Sequence, residues 1–467
     1  MAHTTPNEIA IHNPANPSER VATYAPTDVS DLPEVMHRAQ AAQASWREVP
    51  QTERGALVAA FLDALDARTE EIATAITGEM GKTLAEARGE VGKSASEGRL
   101  TAARAGSMIG EVLPAQRADM AYSTRRPRGV IAGLCPWNFP FGTPVRKTIP
   151  ALVYGNAMVL KPSELAPGAA MCMQEVAAAV LPSDLLQIVI GDGALGSALT
   201  ARAELDGISF TGSVRTGRQV AVAAAGNLVE VSLELGGKNA AIINDASDID
   251  RVLDQVFAAA FAISGQRCTA ISRVIVKADL GDRVVAGLNA RAQAARLGDG
   301  MDAETTMGPL VSRRQLETVS GFVDRAAGEG ATVSTGGTSI TTPTGGFFYA
   351  PTILSGVRPE MEIAREEVFG PVLSVLTYET FDEALDIAND VAYGLTASLF
   401  SEQAPLVERF VAECETGMMH VNSGSFPEDH APFVGMKESA FGVGGSNGPS
   451  TMHFYTSEHA VYRKGHA

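Results

Sequence analysis

The chain has 467 residues, of which 45% are hydrophobic and 19% are charged. This length is typical of about three packed units, and the composition is that of a globular protein. The sequence contains no stretch of about 18 consecutive apolar residues, which argues against a membrane-spanning helix. Its polar, proline-containing start lacks the features of a secretory signal, so we expect a cytoplasmic protein without a membrane partner.

Charge and cysteine content argue against further classes of protein. The net charge of −17, from 54 acidic and 37 basic side chains, would repel a phosphate backbone, so no nucleic-acid partner is expected. The cysteines are far apart and never spaced as Cys-x-x-Cys: Cys135, Cys172, Cys268 and Cys414. This spacing supports neither a metal site nor a secreted disulfide framework.

In chain order, the first predicted elements are helices. From Thr52 onward apolar residues recur at helical spacing, among them Leu57, Phe61 and Leu65, and the pattern continues towards Ala103. After Pro127 the pattern changes to short apolar runs bounded by Gly, Pro or Asn. These predict strands over 129–134, 157–160, 186–190 and 207–210. Helical segments between them indicate a parallel sheet covered by helices, as in nucleotide-binding domains.

A second alternating unit begins after Gly236 and Gly237, which we interpret as a domain hinge. It contains a predicted strand over 240–243, a helix over 250–263, a loop with Cys268 and a strand over 272–276. Two extended stretches, 120–126 and 452–462, have no helical partner. We expect them to pair as a protruding ribbon that serves subunit association.

Two glycine-containing segments are candidates for phosphate binding. Residues 191–196 match the dinucleotide pattern Gly-x-Gly-x-x-Gly, but the unit that follows is short and glycine is abundant in the chain. Residues 210–213 end a strand and open a predicted helix over 214–224, where backbone N–H groups attract pyrophosphate. The second segment is the better candidate, with an ordinary helix cap by Ser213 as the alternative.

Three further segments carry side chains suited to ligand binding or catalysis. Lys161 and Glu164 follow the strand 157–160, at the edge where open parallel sheets bind ligands. Cys268 stands in a loop beside Arg267, where a thiol is accessible and partly ionised, and Glu234 upstream is suited to activating a thiol or a water. Taken singly, a solvated turn, a core cysteine and an exposed strand glutamate are the simpler interpretations.

The segment Pro-Trp-Asn-Phe-Pro over 136–140 is different in kind. An amide held between two prolines and two aromatic residues indicates that rigid placement of Asn138 matters. Its side-chain N–H is suited to a developing oxyanion, a role whose removal typically costs about 3 to 4 kcal/mol. A structural asparagine turn is the alternative.

Together these segments resemble the aldehyde dehydrogenase superfamily, in the family's order and over nearly the whole chain. The matching segments are 136–140, 161–164, 210–213, 234–238, 265–268, 366–371 and 421–422. Seven separate motifs at family spacing outweigh the simpler interpretations of each residue alone.

The resemblance implies that an aldehyde is oxidised to a carboxylic acid through a thioester on Cys268. In the family, the cysteine forms a thiohemiacetal whose oxyanion is held by an amide, here Asn138, and by the backbone N–H of the cysteine. Glu234 is similar to the base that activates the water for thioester hydrolysis. The branch that transfers the acyl group to coenzyme A typically lacks this glutamate, so a non-acylating enzyme is implied.

The resemblance also implies NAD as the coenzyme, with NADP as the alternative. Eight positions match residues that contact the coenzyme in the family: Trp137, Lys161, Ser163, Glu164, Gly212, Ser213, Glu367 and Phe369. Segment 161–164 matches the adenosine-ribose site, 212–213 the pyrophosphate site, and the last two residues the nicotinamide ribose and ring. The carboxylate of Glu164 favours NAD because it would repel the extra phosphate of NADP. Lys147 matches a further residue that lines the catalytic cleft.

The fold implied by the resemblance is α/β, with a Rossmann-type coenzyme domain, an α/β catalytic domain and a β-ribbon oligomerisation arm. The coenzyme domain is expected over 1–110 and 129–235, and the catalytic domain over 236–436. Residues 111–128 and 437–467 are expected to form the ribbon and tail. Homodimers or homotetramers are usual in the family.

The substrate is implied by finer similarities. Segments 265–270, 429–433 and 454–456 look most like 2,5-dioxovalerate (α-ketoglutarate semialdehyde) dehydrogenases. Arg146 lies where succinate-semialdehyde dehydrogenases bind the acid end of their substrate, which implies a short carboxylated semialdehyde. Ala262 departs from those enzymes, which often have a second arginine there. An aromatic aldehyde is the alternative, because 419–422 and the loop of Asp429 also suit that branch.

Two other classes of function make different predictions. A non-catalytic binding protein on the same fold predicts loss of Cys268 or Glu234, and both are present. A cysteine hydrolase that ignores the coenzyme predicts a histidine beside Cys268, and no sequence pattern supplies one.

Overall fold

The computed structural model describes residues 8–107 and 110–465. Two α/β units dominate it, one around a six-stranded sheet and one around a seven-stranded sheet, and a three-stranded sheet stands apart from both. Within these residues, none of the helices combines the length and the apolar surface needed to cross a membrane.

Residues 8–107 form a hairpin followed by a layer of helices. Their bounds are β1 Ile9–Asn13, β2 Asn16–Tyr24, α1 Leu32–Trp46, α2 Gln51–Asp66, α3 Thr69–Met80 and α4 Leu84–Ala103. The predicted helical pattern is confirmed, whereas the hairpin was not predicted. Helix α4 begins at a capping box, in which Thr83 and Glu86 each accept the backbone N–H of the other.

Residues 110–235 alternate between strands and helices. Their bounds are β3 Val112–Leu113, β4 Met120–Pro127, β5 Val130–Leu134, α5 Gly142–Val153, β6 Ala157–Lys161, α6 Gly168–Val180, β7 Leu186–Ile188, α7 Gly193–Thr200, β8 Gly207–Thr211, α8 Val214–Gly226 and β9 Glu230–Glu234. The four strands predicted after Pro127 are confirmed, with small shifts at their ends.

Residues 236–465 contain the second α/β unit and the C-terminal strands. Their bounds are β10 Asn239–Ile243, α9 Ile249–Phe261, β11 Ile271–Lys277, α10 Gly281–Ala294, α11 Arg313–Gly328, β12 Thr332–Thr335, β13 Ser339–Ile340, β14 Phe348–Tyr349, β15 Thr352–Ser355, α12 Glu362–Arg365, β16 Val372–Tyr378, α13 Phe381–Asn389, β17 Tyr393–Gly394, β18 Thr396–Phe400, α14 Ala404–Glu413, β19 Met418–Val421, β20 Met436–Lys437, β21 Ala440–Gly442, α15 Thr451–Tyr455 and β22 Thr456–Arg463.

The six-stranded sheet has the order β21-β9-β8-β5-β6-β7, and β5 to β9 are parallel. The chain runs outward from β5 through β6 to β7, and then returns to the other side of β5 for β8 and β9. The strand order therefore reverses between β5 and β8, and open parallel sheets bind ligands beyond the carboxyl ends of such a pair. This doubly wound arrangement confirms the predicted α/β, Rossmann-type fold.

The seven-stranded sheet has the order β12-β15-β16-β11-β10-β18-β19, and only β12 runs antiparallel to its neighbour. Strands β10 and β11 are buried along most of their length, so both are nearly continuous apolar runs. They match the predicted strands over 240–243 and 272–276. Helix α9 ends at Phe261, before the predicted end, because the following residues turn into another backbone conformation.

The predicted ribbon is present, with two differences at the C-terminal end. Strand β4 pairs antiparallel with β22, from Met120 opposite Arg463 to Pro127 opposite Thr456, and β3 adds a third strand. The start of the second predicted stretch is the short helix α15 instead of strand. In addition, β21 pairs with β9 at the edge of the six-stranded sheet, so 437–467 does not belong to the ribbon and tail alone.

Candidate active site

A cleft of about 730 Å³ lies beyond the carboxyl ends of β5 and β8, and the loop with Cys268 also lines it. Residues from α4, α5, the start of α8 and the end of β9 form its walls. Most of the residues predicted for the site line this cleft: Cys268, Glu234, Asn138, Lys147, Arg146, Trp137, Gly212, Ser213, Glu367 and Phe369.

The other three predicted residues, Lys161, Ser163 and Glu164, lie outside the cleft, at the end of the neighbouring strand β6. Lys161 is buried, and its ammonium lies 3.8 Å from the carboxylate of Glu164. Burial lowers the pKa of Lys161, and the carboxylates of Glu164 and Asp192 oppose this shift. Asp192 caps α7 by accepting the Ala194 N–H at 2.9 Å. The Lys161 side chain would lie 3.5 Å from a Cβ placed at Gly196, so the glycine-containing turn of 191–196 lies beside Lys161.

The turn before Cys268 has an unusual backbone conformation. Ile263 and Ser264 both have a φ of 55°, a left-handed conformation that costs non-glycine residues roughly 1 to 2 kcal/mol each. The Glu86 carboxylate accepts the Ile263 N–H at 2.7 Å, and the Ser264 hydroxyl donates to the Gly308 carbonyl at 2.7 Å. Contacts from distant parts of the chain therefore hold the turn that presents Cys268.

Cys268 is only half-buried as a residue, and the groups around its thiol have opposing charges. Desolvation raises the pKa of the thiol to about 11, and the carboxylate of Glu367 adds to this shift. The guanidinium groups of Arg267 and Arg146 oppose it. The thiol is therefore protonated at neutral pH, and a base must take its proton before it attacks.

Glu234, the base expected from the sequence, is one of the carboxylates that line the cleft. It ends β9, is 4% exposed, and its Oε2 has no hydrogen-bond partner within the described residues. Burial raises its pKa to about 8, while Lys147 and Arg146 pull the pKa down. A carboxyl group with this pKa changes its protonation state near the pH at which enzymes work, as a general base must.

Asn138 is placed between β5 and the loop of Cys268. Its Nδ2 donates one hydrogen to the carbonyl of Gln266 at 2.9 Å. Gln266 is itself fully buried, and its Oε1 accepts the Val311 N–H at 3.0 Å. Because an amide nitrogen carries two hydrogens, the second hydrogen of Asn138 is left for an oxyanion in the cleft.

One face of α5 adds two cations to the cleft. Thr143, Arg146 and Lys147 lie three and four residues apart, so they share a face of the helix, and all three line the cleft. The ammonium of Lys147 donates to Ser209 Oγ at 2.9 Å. Burial lowers the pKa of Lys147 to about 8.

Arg146 is already paired along one edge of its guanidinium. Its Nε and Nη2 donate to the carboxylate of Glu97 at 2.7 and 2.6 Å, which leaves Nη1 for another acceptor. The side chain is 22% exposed and its guanidinium carbon lies 5.1 Å from the centre of the Phe433 ring. The predicted substrate cation therefore lines the cleft, but a buried carboxylate orients it, and sequence patterns did not reveal this partner.

The residues at the start of α8 also line the cleft. Gly212 and Ser213 precede this helix, and Ser213 Oγ accepts the Thr216 N–H at 3.3 Å as an N-cap. The helix cap by Ser213, which the sequence offered as the alternative to a phosphate site, is therefore present. It uses one N–H group of the first turn, and the others are available for an anion such as pyrophosphate.

Glu367 and Phe369 approach the cleft from the segment before β16. The Glu367 carboxylate accepts the Gly237 N–H at 3.1 Å, and a side chain at Gly236 would collide with it. Burial raises the pKa of Glu367 to about 7. Phe369 packs edge-on against Trp137, with ring centroids 5.5 Å apart. Glu367 therefore contacts the glycine pair, whereas Phe369 forms an aromatic wall of the cleft with Trp137.

Sequence reasoning missed the contribution of α4 to the cleft. Four charged residues of this helix line it: Glu86, Glu90, Lys93 and Glu97. They recur at helical spacing, which is a detectable signal, but a charged stripe on a helix is usually a solvated face. Gln315 of α11 was missed as well, and its Nε2 holds the carbonyl of Phe369 at 2.9 Å.

The geometry of the cleft agrees with comparisons to known proteins. The model of the aldehyde dehydrogenase family matches residues 1–461. The chain belongs to the aldehyde dehydrogenase family. It is therefore an NAD(P)-dependent aldehyde dehydrogenase, which confirms the class of enzyme predicted from its motifs.

Relatives of this aldehyde dehydrogenase cover nearly its whole length. The α-ketoglutaric semialdehyde dehydrogenase of Bacillus subtilis (strain 168) is 34% identical, over 98% of this chain and 94% of its own. The α-ketoglutarate semialdehyde dehydrogenase of Haloferax volcanii is 38% identical, over 97% and 95%. Among solved structures, the betaine aldehyde dehydrogenase of Staphylococcus aureus in complex with NAD+ has a TM-score of 0.95 at 30% identity, covering 98% and 92%.

Proposed function

We propose that this aldehyde dehydrogenase oxidises a short aldehyde with a carboxylate at its other end, such as 2,5-dioxovalerate or succinate semialdehyde. The observation that carries the proposal is the guanidinium of Arg146, which lines the same cleft as Cys268 and Glu234 and keeps Nη1 for an acceptor. The names of the Bacillus and Haloferax relatives support the same substrate class.

In the first step, the Cys268 sulfur adds to the aldehyde carbon, and the thiol proton passes to the Glu234 carboxylate. The aldehyde oxygen becomes an oxyanion, for which the free N–H of Asn138 and the backbone N–H of Cys268 are the donors. Lys147, buried nearby, favours the ionised form of Glu234. Loss of a hydride from the same carbon then leaves a thioester on Cys268.

NAD supplies the hydride acceptor when it is bound, and the residues present fit it. Gly212 and Ser213 at the start of α8 suit the pyrophosphate, and Glu367 and Phe369 suit the nicotinamide ribose and ring. The segment 161–164 at the end of β6 suits the adenosine ribose, because it lies at the same edge of the sheet.

Before the last step, Glu234 releases the thiol proton to solvent. Ionised Glu234 then takes a proton from a water molecule, and the water oxygen adds to the thioester carbon. The carbon–sulfur bond breaks, the carboxylic acid leaves, and the Cys268 thiolate takes the proton from Glu234. The free Oε2 of Glu234 is the atom that suits this transfer. No acceptor other than water is needed, in keeping with a non-acylating enzyme.

Arg146 is expected to determine the preference for carboxylated aldehydes. In Arg146→Met with Glu97→Gln, which avoids an unpaired buried carboxylate, we expect kcat/KM for succinate semialdehyde and 2,5-dioxovalerate to fall about 10- to 100-fold. Propanal, which has no carboxylate, should show a much smaller fall in kcat/KM, which reflects only the loss of the Arg146 charge near Cys268 and Glu234. The measurement is NADH absorbance at 340 nm over a substrate series.

Glu97→Gln alone is the matched control for that pair of changes, because it keeps the cation. An equal fall for propanal and the semialdehydes would contradict the role of Arg146 while retaining the dehydrogenase. Absence of NADH and NADPH formation with every aldehyde would contradict the proposed reaction itself.

An aromatic aldehyde is the second candidate substrate, favoured by one observation. Phe426 and Phe433 line the cleft together with Arg146, and a benzaldehyde ring would pack against them. In the same assay, a higher kcat/KM for benzaldehyde than for either semialdehyde would favour this candidate.

Glu164 is expected to maintain the preference for NAD over NADP. The side chain is 41% exposed, so its repulsion of an added phosphate is partly screened. We expect Glu164→Gln to raise the ratio of kcat/KM for NADP to that for NAD about tenfold, measured by steady-state kinetics with both coenzymes. Glu175→Gln, which removes an exposed charge elsewhere, should leave the ratio unchanged, and an unchanged ratio in Glu164→Gln would contradict the prediction.

The domain division and the assembly are further proposals. We assign 1–110 and 129–235, together with β21, to the coenzyme domain and 236–436 to the catalytic domain. The exposed apolar residues of the three-stranded sheet, among them Val112 and Tyr462, support a homodimer or homotetramer that covers this sheet. A cytoplasmic location stays a prediction of the sequence.

A further inference from the structure

A buried ion pair lies directly behind the segment that carries Asn138. The ammonium of Lys82 is 2.5 Å from Glu90 Oε2, and the two side chains are 0% and 2% exposed. Lys82 stands just before α4, and Glu90 is in the second turn of that helix. Neither residue belongs to the motifs that identified the family from sequence.

Both members of the pair hold the backbone of the segment 138–142. The Lys82 ammonium donates to the carbonyl of Asn138 at 2.8 Å and lies 4.4 Å from the centre of the Phe139 ring. Glu90 Oε1 accepts the N–H groups of Phe141 and Gly142 at 2.9 and 2.8 Å. The pair therefore forms hydrogen bonds with the backbone on both sides of Pro140, which has no backbone N–H to donate.

This arrangement is poorly explained by stability alone. Desolvation of two charges is costly, and well-packed apolar residues of similar size often stabilise a protein as well or better. The pair is instead suited to placement, because the charge-assisted bonds fix the backbone of Asn138 in one position. The side chain of Asn138 is held separately, by the carbonyl of Gln266 next to the loop of Cys268.

We propose that Lys82 and Glu90 are positioning residues that place the Asn138 amide for the oxyanion formed at Cys268. The inference rests on the proposed role of Asn138. Neither residue needs to touch the aldehyde: Lys82 fixes the carbonyl of Asn138, and Glu90 fixes the start of α5. An oxyanion donor misplaced by about 1 Å loses much of its effect, since such a displacement can cost about 100-fold in rate.

The test is a double-mutant cycle between the ion pair and Asn138. The pair is removed as Lys82→Met with Glu90→Gln, which leaves no unpaired charge and keeps an oxygen for the Phe141 and Gly142 N–H groups. We expect kcat to fall about 10- to 100-fold, while KM for NAD stays within about twofold. In an Asn138→Ala background, the same two changes should lower kcat by no more than about twofold, because the donor they place is already absent.

Each outcome of the cycle separates the inference from the function on which it rests. If Asn138→Ala alone leaves kcat unchanged, the proposed role of Asn138 is wrong and the inference is overturned with it. If Asn138→Ala lowers kcat but the pair variant lowers it by the same factor in both backgrounds, only the positioning role is overturned. An unchanged kcat in the pair variant also overturns the positioning role of Lys82 and Glu90.

Two further variants keep the result interpretable. Tyr24→Phe removes the hydrogen bond to the buried carboxylate of Glu79, away from the cleft, and should lower the thermal midpoint without changing kcat. Lys82→Gln with Glu90→Gln restores a donor at position 82 and should recover part of kcat. If the methionine variant does not fold, this variant takes its place in the cycle. The same comparison of kcat with and without Asn138 then decides whether the pair is a positioning device.

Discussion

Replacement of Cys268 by alanine is expected to abolish NADH formation with every aldehyde, lowering kcat by roughly 10⁴-fold or more. Cys135 and Cys268 both line the cleft, but Cys268 is the more exposed thiol and is the one proposed to form the thioester, for which an alanine provides no covalent route. Stopped-flow absorbance at 340 nm would measure this directly, because even a single turnover requires the sulfur. Binding of NAD, followed by fluorescence quenching, should remain within about twofold of the unmodified protein, since the sulfur is no part of the proposed coenzyme contacts.

Cys135→Ala is the matched control for Cys268→Ala. This second cysteine is 8% exposed, whereas Cys268 is only half-buried, so an aldehyde in the cleft reaches Cys268 more readily. Its replacement should leave kcat within about threefold of the original value. Dehydrogenase activity that survives in Cys268→Ala but is lost in Cys135→Ala would overturn the assignment of the nucleophile.

Replacement of Glu234 by glutamine is expected to slow the attack of Cys268 and to prevent hydrolysis of the thioester. Glutamine keeps the size of the side chain but cannot accept a proton, so the thioester is not hydrolysed. We expect kcat to fall about 100- to 10,000-fold, the usual contribution of a general base. If a first turnover still occurs, rapid mixing should give a burst of up to one NADH per active site, and mass spectrometry should detect an acyl group on Cys268.

The same carboxyl group predicts the pH dependence of the reaction. Burial raises the pKa of Glu234 to about 8, and the ionised form is the active base. The kcat of the unmodified enzyme should therefore increase as the pH rises towards 8 and level off above it. Either of two results would contradict this assignment. One is a kcat that is independent of pH between 6 and 9, and the other is a rise of kcat towards pH 8 that persists unchanged in Glu234→Gln.

The strands and helices of the two α/β units were predictable because their signals are local. The run of Val130 to Leu134 is apolar throughout because the strand is covered on both faces. The hairpin β1–β2 was missed because the apolar part of β1 is only three residues long and β2 is largely polar, so neither strand has an alternating apolar pattern. Helix α9 stops at Phe261 because Ile263 adopts a left-handed conformation stabilised by Glu86, which lies far away in the chain.

The residues of the candidate site also divide into those with a local sequence signal and those without one. Cys268, Glu234 and Asn138 were found from short motifs, in which neighbouring residues carry the signal. Lys82 and Glu97 were not found, because charged side chains in or beside a helical segment are usually solvated. Tertiary packing gives Glu97 its partner Arg146 on α5 and places Lys82 between Glu90 and the carbonyl of Asn138.

The sequence by itself determined the family, most of the elements of the two α/β units and the residues proposed to carry the chemistry, since these depend on composition and spacing within short segments. Tertiary structure alone decided which of them share a cleft, that Arg146 is paired with Glu97, and that burial moves the pKa of Glu234 towards 8. The physical reason is that desolvation and charge pairing depend on atoms brought together from distant segments, and no local pattern records them.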